Sequence, residues 1–212
     1  MRVKLVSFTA YADWLVAQAA RVCYSAKDIE NFYMDEYEVQ RMIKMILDNG
    51  HTSVLEHASF TFYVSGISRA SANQLQRHRI ASYSQQSQRY VKGVMPLVCP
   101  DSVAGNEAAS RIWEETESII SSGYNLLLDI GIPAEDARGV LGMNSETRLM
   151  FTMNARSLLN FFELRCCSHA QHEIRELANT MLKLVKEVAP NIFKQAGAKC
   201  ATCNVKCKGE LQ

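Results

Sequence analysis

The chain has 212 residues, 48% of them hydrophobic, enough for one compact domain with a full-sized core. Its 23 Lys and Arg against 22 Asp and Glu leave a formal charge of +1, which excludes the broad basic field of a nonspecific nucleic-acid binder and makes any anion site local. No apolar run is long enough to span a bilayer, and residues 1–8 lack a signal peptide's apolar block and cleavage site, so a cytoplasmic protein with reduced thiols is expected.

In chain order, residues 1–8 read as a strand, 11–24 as a helix and 25–34 as a loop. Residues 35–48 are helical, with Val39, Met42, Ile43, Ile46 and Leu47 at helical spacing, and Asn49-Gly50 suits a left-handed end. Residues 58–64 alternate, Phe60, Phe62 and Val64 facing one side, as in a half-buried strand. A helix over 68–79 follows, leaving a polar run as its end and the next loop. A long helix over 105–130 carries Ile112, Ile119, Leu126 and Ile130 on one face. Gly131-Ile132-Pro133 breaks it, and Pro133 opens a short helix to residue 141.

Residues 146–153 alternate again, Leu149, Phe151 and Met153 opposite Arg148. Residues 155–166 are helical. Ser168 and Gln171 suggest a capping box for a last helix that buries Ile174, Leu177, Ala178, Met181, Leu182, Val185 and Val188, with Pro190 ending it. Few strands and many helices predict an α+β domain over 1–196, followed by a flexible, Cys-containing tail over 197–212. The helical faces exceed what one small sheet can cover, so some are expected to meet another subunit.

The chemistry concentrates between residues 77 and 90. Arg77, His78 and Arg79 are followed after seven residues by Ser87 and then Arg89. Guanidinium forks match phosphate oxygens bidentately, and a Ser hydroxyl adds a short donor. Such a run suits one phosphate, or two from different ligands. The plainer alternative is a solvated loop with ion pairs. A strand clamp for RNA or DNA through Arg77, Arg79, Arg89 and Tyr90 is a third, against which the near-zero charge argues. Ser87 near His78 lacks the orienting third group and elbow of a nucleophile, so it reads as a phosphate or sugar donor.

The spacing Arg77-His78-Arg79, seven residues, Ser87 resembles the signature of flavin-dependent thymidylate synthases. Gly50-His51-Thr52-Ser53-Val54-Leu55-Glu56-His57 resembles that family's upstream block, and Asn154-Ala155-Arg156-Ser157 its downstream one. Leu164-Arg165 and His169-Ala170-Gln171-His172-Glu173-Ile174-Arg175 resemble its last motif, so ordered matches cover most of the chain.

The resemblance implies a thymidylate synthase-complementing fold, with helices around a small, mostly antiparallel sheet. It implies synthesis of dTMP from dUMP, with methylenetetrahydrofolate as carbon donor, FAD as redox carrier and NADPH as reductant. It also implies a homotetramer with active sites at subunit interfaces, without nucleic acid or membrane as partner. The cofactor residues it implies are Ser53, Arg77, His78, Arg79, Gln85, Glu163, Leu164, Arg165 and His169. The substrate residues are Gln74, Leu75, Gln76, Arg77, Gln85, Gln86, Ser87, Gln88, Arg89, Arg148 and Arg175. Arg175 is the expected catalytic residue, a guanidinium stabilising charge on the uracil ring. His51 is a secondary candidate for gating or orienting the flavin, against an ordinary cap or loop histidine. Gln85 departs from the Glu that some members carry; an amide can donate and accept, so a ligand contact can survive. A degenerate member that binds ligands without turnover is the remaining reading.

No Cys nucleophile is expected. Cys23, Cys166 and Cys167 read as small buried hydrophobes in helices. Cys200, Cys203 and Cys207 crowd the tail without a complete four-ligand metal pattern, so thiols rather than a metal centre are expected there.

Overall fold

A computed structural model describes residues 1–199; the three tail cysteines lie outside the described residues. The elements run β1 (Arg2–Phe8), α1 (Ala12–Tyr24), α2 (Glu36–Asp48), β2 (Ser59–Ser68), α3 (Arg69–Gln76), β3 (Ser82–Gln85), α4 (Asp101–Ala104), α5 (Glu107–Asp129), α6 (Ala134–Ala137), β4 (Glu146–Asn154), α7 (Ala155–Arg165) and α8 (His172–Val188). Single 3-10 turns cover Ile29–Asn31, Thr52–His57 and Arg138–Val140. The strands form one antiparallel sheet in the order β1-β2-β4-β3, so the α+β class expected from the sequence holds. Among the described residues no helix is long and apolar enough to cross a membrane.

Local sequence explains the element ends. Asp35 and Glu38 close a reciprocal capping box at the start of α2, and Gly50 takes up the positive φ of +70° that follows it. Ser68, Asn154 and Gln171 each accept a backbone N–H of the first turn of α3, α7 and α8. The strand alternation is realised in full: Phe60, Phe62, Val64, Leu149, Phe151 and Met153 are buried, and Arg148 is exposed.

Two compact units divide the chain. The first comprises Met1–Arg2, Val64–Arg77 and Tyr83–Met150. Its buried residues include Val64, Ile67, Leu75, Tyr124, Ala137 and Leu149. The second comprises Val3–Tyr63, His78–Ser82 and the chain from Phe151 onward. Its core is aromatic. Phe60 meets Phe193 edge-on at 5.4 Å, Phe193 meets Phe162 at 5.9 Å, and Phe162 meets Phe161 at 5.7 Å. These ring geometries add to area burial.

Several expectations need correction. α3 stops at Gln76 rather than residue 79, because the Tyr83 hydroxyl donates to the Leu75 carbonyl at 2.9 Å and takes an acceptor at the helix end. The loop expected after it contains β3, whose continuation is laddered to β4 by the Gln86 N–H on the Arg148 carbonyl at 3.0 Å. β2 runs to Ser68, four residues beyond the expected end. Pro133 is the residue before α6 instead of its first residue. Ser168 makes no capping box, because α8 starts at His172 and Gln171 itself is the cap. Leu182 and Val188 are half-buried. Cys23 is exposed, and Cys166 and Cys167 are half-buried: Cys23 continues the spacing of Val16 and Ala20 but lies in the last turn of α1, beyond its last buried residue, and the other two lie just beyond the end of α7. The apolar face of α5 is outward: Ile112, Ile119, Leu126 and Ile130 are each more than 60% exposed.

Candidate functional site

In the first unit, α3, β3 and β4 bring together many of the residues expected to hold nucleotide. Gln76 Nε2 donates to Gln85 Oε1 at 2.7 Å, and Gln85 Nε2 donates to the buried Thr147 hydroxyl at 3.1 Å. These two bonds use both ends of the Gln85 amide. Arg148 Nε donates to Gln86 Oε1 at 3.2 Å, while Arg69 Nη2 donates to the Gln86 carbonyl at 3.0 Å. Burial, and the charge of Arg138, lower the pKa of Arg69 from its ordinary value. Arg148 therefore lies on the exposed face of β4, as the alternation required.

Residues 87–90 turn outward. Ser87 Oγ accepts the Arg89 N–H at 3.2 Å, a local turn bond that leaves its hydroxyl proton to donate. Arg89 pairs with Glu135 at 2.6 Å and lies 5.8 Å over the Tyr90 ring. That pairing neutralises one of the four groups a strand clamp would need. Gln88 Nε2 is buried without an acceptor among the described residues, as is Arg69 Nε. A buried donor in this state is costly, and an oxygen-rich ligand or water relieves it. Arg77 is exposed and Gln74 half-buried; Leu75 is fully buried, its carbonyl accepting the Tyr83 hydroxyl.

In the second unit, the signature histidine is held by α7. His78 meets Phe161 edge-on at 4.9 Å, extending the aromatic core outward. Arg165 Nε donates to His78 Nε2 at 3.1 Å. Burial, then the Arg165 charge, push the His78 pKa down to about 4. The imidazole is therefore neutral at pH 7, with its proton on Nδ1. Arg79 and Leu164 are exposed, and Glu163 pairs with Lys199 at 3.0 Å. Ser53 is exposed within the 3-10 turn that contains it. Arg175, in the first turn of α8, donates to the Ser168 carbonyl at 2.9 Å. His169 Nδ1 stands 3.6 Å from Cys167 Sγ. His51 Nδ1 is 2.8 Å from the Tyr24 hydroxyl, with the two rings stacked.

This donor set suits flavin and nucleotide ligands. A neutral, half-buried imidazole backed by a phenyl ring offers flat apolar surface, and the exposed guanidiniums of Arg77 and Arg79 match diphosphate oxygens. Sequence reasoning missed Arg69, Thr147, Phe161 and Tyr24. Thr147 had a signal, since it shares the buried face of β4 with Leu149. The others depend on tertiary contacts that no local pattern encodes. A separate cavity of about 280 Å³ in the second unit, lined by Tyr37, Arg41, Lys44, Leu47 and Lys194, includes none of the expected site residues.

Comparison with known proteins shows what the chain as a whole is similar to. The family model described as thymidylate synthase complementing protein matches residues 4–191. The flavin-dependent thymidylate synthase of Geobacter sulfurreducens is 49% identical, with the match covering 95% of this chain and 89% of that protein. The enzyme of the same name from Clostridium tetani is 43% identical, over 96% of this chain and 90% of its own length. A crystal structure of the UMP/dUMP methylase PolB from Streptomyces cacaoi, bound with 5-Br dUMP, superposes with a TM-score of 0.84 at 28% identity, covering 91% of this chain and 93% of that one. With the signature, the fold and the extent of these matches in agreement, this chain belongs to the thymidylate synthase complementing protein family.

Proposed function

We propose that the protein is a flavin-dependent thymidylate synthase that methylates dUMP to dTMP, taking its carbon from methylenetetrahydrofolate and its electrons from NADPH through FAD. The observation that supports this reading is the pair of adjacent bonded sets, Gln76 with Gln85 and Arg148 with Gln86, residues that the family resemblance assigns to nucleotide. The unpartnered donor of Gln88 beside it supports an oxygen-rich ligand.

In this reading Gln74 to Arg77, Gln85 to Arg89 and Arg148 seat the nucleotide. Ser53, Arg77, His78, Arg79, Gln85 and the Glu163, Leu164, Arg165 and His169 group hold the flavin. A bound flavin supplies the electron transfer that no side chain offers. Arg175 polarises the uracil ring: a guanidinium at the N3 and C4 edge favours negative charge on the ring and so activates C5 as a carbon nucleophile. His78 stays neutral and adds no competing cation.

Self-association as a homotetramer, with sites completed by neighbouring subunits, belongs to the same proposal. The outward apolar stripe of α5 supports it, since an isolated chain would leave four large hydrophobic side chains in water. The test is direct. Purified protein should show oxidised-flavin absorption that dUMP perturbs, and should release tritium from 5-tritiated dUMP when folate and NADPH are present. Colourless protein that takes up no added FAD, or absence of dTMP, overturns the proposal.

A further inference from the structure

The turn between α7 and α8 carries two thiols that the proposed reaction does not use, beside His169, which that reading gives to the flavin. Cys166 and Cys167 are adjacent, both half-buried, yet their surroundings differ. Cys167 Sγ is 3.6 Å from His169 Nδ1, within sulfur hydrogen-bond range. Cys166 has no such contact, and burial pushes its thiol up to about 11 despite the charge of Lys186. Glu163 and Arg165 end α7, His172, Glu173 and Arg175 open α8, and the charge of Lys186, farther along α8, reaches Cys166. At 3.6 Å the His169 imidazole can accept the Cys167 thiol proton. Ser168, the next residue, receives the Arg175 guanidinium on its carbonyl at 2.9 Å.

We propose that Cys167 and His169 form a thiol–imidazole pair that peroxide oxidises to a sulfenic acid, a reversible off-switch acting through the turn that seats Arg175. The thiol proton passes to His169. The sulfur then attacks one peroxide oxygen, an S–O bond forms and the O–O bond breaks. The departing hydroxide takes a proton from the imidazolium and leaves as water. Sulfur loses two electrons and peroxide gains them; a dithiol reductant reverses the change. The added oxygen alters the turn one residue from the carbonyl that holds Arg175. The effect on turnover rests on the role proposed for Arg175, whereas the thiol chemistry does not.

Iodoacetamide labelling of the native protein at pH 7, mapped cysteine by cysteine, tests the pair. Cys167 should label at least ~10-fold faster than its equally half-buried neighbour Cys166, and His169→Gln should remove that advantage without changing Cys23. Equal rates at Cys166 and Cys167 in the wild-type protein would overturn the pair without recourse to any variant. Peroxide alone should stop dTMP formation, with dithiothreitol restoring it, and a sulfenic-acid trap added to a parallel sample should tag Cys167 irreversibly. Cys167→Ser should turn over and resist peroxide; loss of its activity to peroxide at the wild-type rate would overturn the switch. A protein without dTMP synthesis would defeat the proposed function, and labelling would still decide the thiol chemistry.

Discussion

Arg165 donates from Nε to Nε2 of His78, so a guanidinium fixes the tautomer of the histidine at the centre of the signature. Together with burial it lowers the imidazole pKa to about 4. The consequence for stability has a definite sign. Above pH 6.5 neither the folded nor the unfolded histidine is protonated, and the shift has no effect. As pH falls from 6.5 toward 4, the unfolded chain takes up a proton that the folded one refuses, so stability drops across that window. Urea titrations at pH 7, 6 and 5 should show a falling midpoint, and His78→Gln should flatten this dependence. An imidazole resonance titrating near 6.5 in the folded protein would contradict the assignment.

The family block at 154–157 divides into two residues of unequal weight. Asn154 accepts the Ser157 N–H at 2.8 Å and caps α7. Arg156 pairs with Glu56 at 2.5 Å, with both side chains about half exposed. Losing a cap of this kind costs about 1 kcal/mol, whereas an exposed ion pair contributes from nothing to about 1 kcal/mol. Asn154→Ala should therefore lower the unfolding free energy measurably. Arg156→Ala should lower it less, and its effect should fade further in high salt, which screens the pair but not the cap.

The fold was legible where one residue's neighbours in sequence decide its environment. Alternation placed β2 and β4, and helical spacing placed α2 and α8, because burial on one face imposes a period. β3 was hidden because Ser82–Gln85 is polar and only half covered; its strand character comes from pairing with β4. The exposure of Cys23 was hidden too, since it keeps the spacing of Val16 and Ala20 while lying in a last turn beyond the helix's last buried residue. In the candidate site, motif spacing singled out Arg77, His78 and Arg79, yet Phe161 and Arg165, which contact the histidine, sit 83 and 87 positions away from it (numbers 161 and 165 against 78). Only the packing of α7 reveals that support.

Gly66 occupies an interior position of β2 at φ +72°, where an added Cβ would approach Met1 Cα to 3.2 Å. Both the dihedral and the close backbone approach call for glycine. A non-glycine residue held at positive φ costs on the order of 1–3 kcal/mol. Gly66→Ala should lower the urea midpoint accordingly. Gly139→Ala, where nothing lies within 4 Å and φ is ordinary, should leave it nearly unchanged. Equal midpoints for the two variants would refute the account.

The stripe on α5 leads to a prediction about assembly. Ile112, Ile119 and Leu126 recur every seven residues, and Ile130 continues the face. Burying one such side chain fully is worth about 1.5–3 kcal/mol, so four together provide a substantial drive for association. Ile119→Glu combined with Leu126→Glu should reduce the oligomer seen by light scattering while the far-ultraviolet spectrum stays helical. An unchanged mass would assign these residues to the surface.

Arg175 and Arg148 are both guanidiniums, and kinetics should separate them. Arg148 is exposed on β4 and tied to Gln86, which suits holding a substrate group whose charge is the same before and during reaction. Such binding lowers KM without raising kcat. Arg148→Ala should therefore raise the KM for dUMP and leave kcat comparatively intact. Arg175 is fixed by the Ser168 carbonyl, so its charge is oriented before the ring develops negative charge. Preorganised donors of this type are worth about 10²–10³ in kcat. Arg175→Ala should lower kcat by that order at saturating dUMP, and Arg175→Lys should recover only part, because an ammonium cannot reproduce the guanidinium's two-point geometry. Tritium release from 5-tritiated dUMP measures both constants, and a folded Arg175→Ala variant with wild-type kcat would remove this residue from the chemistry.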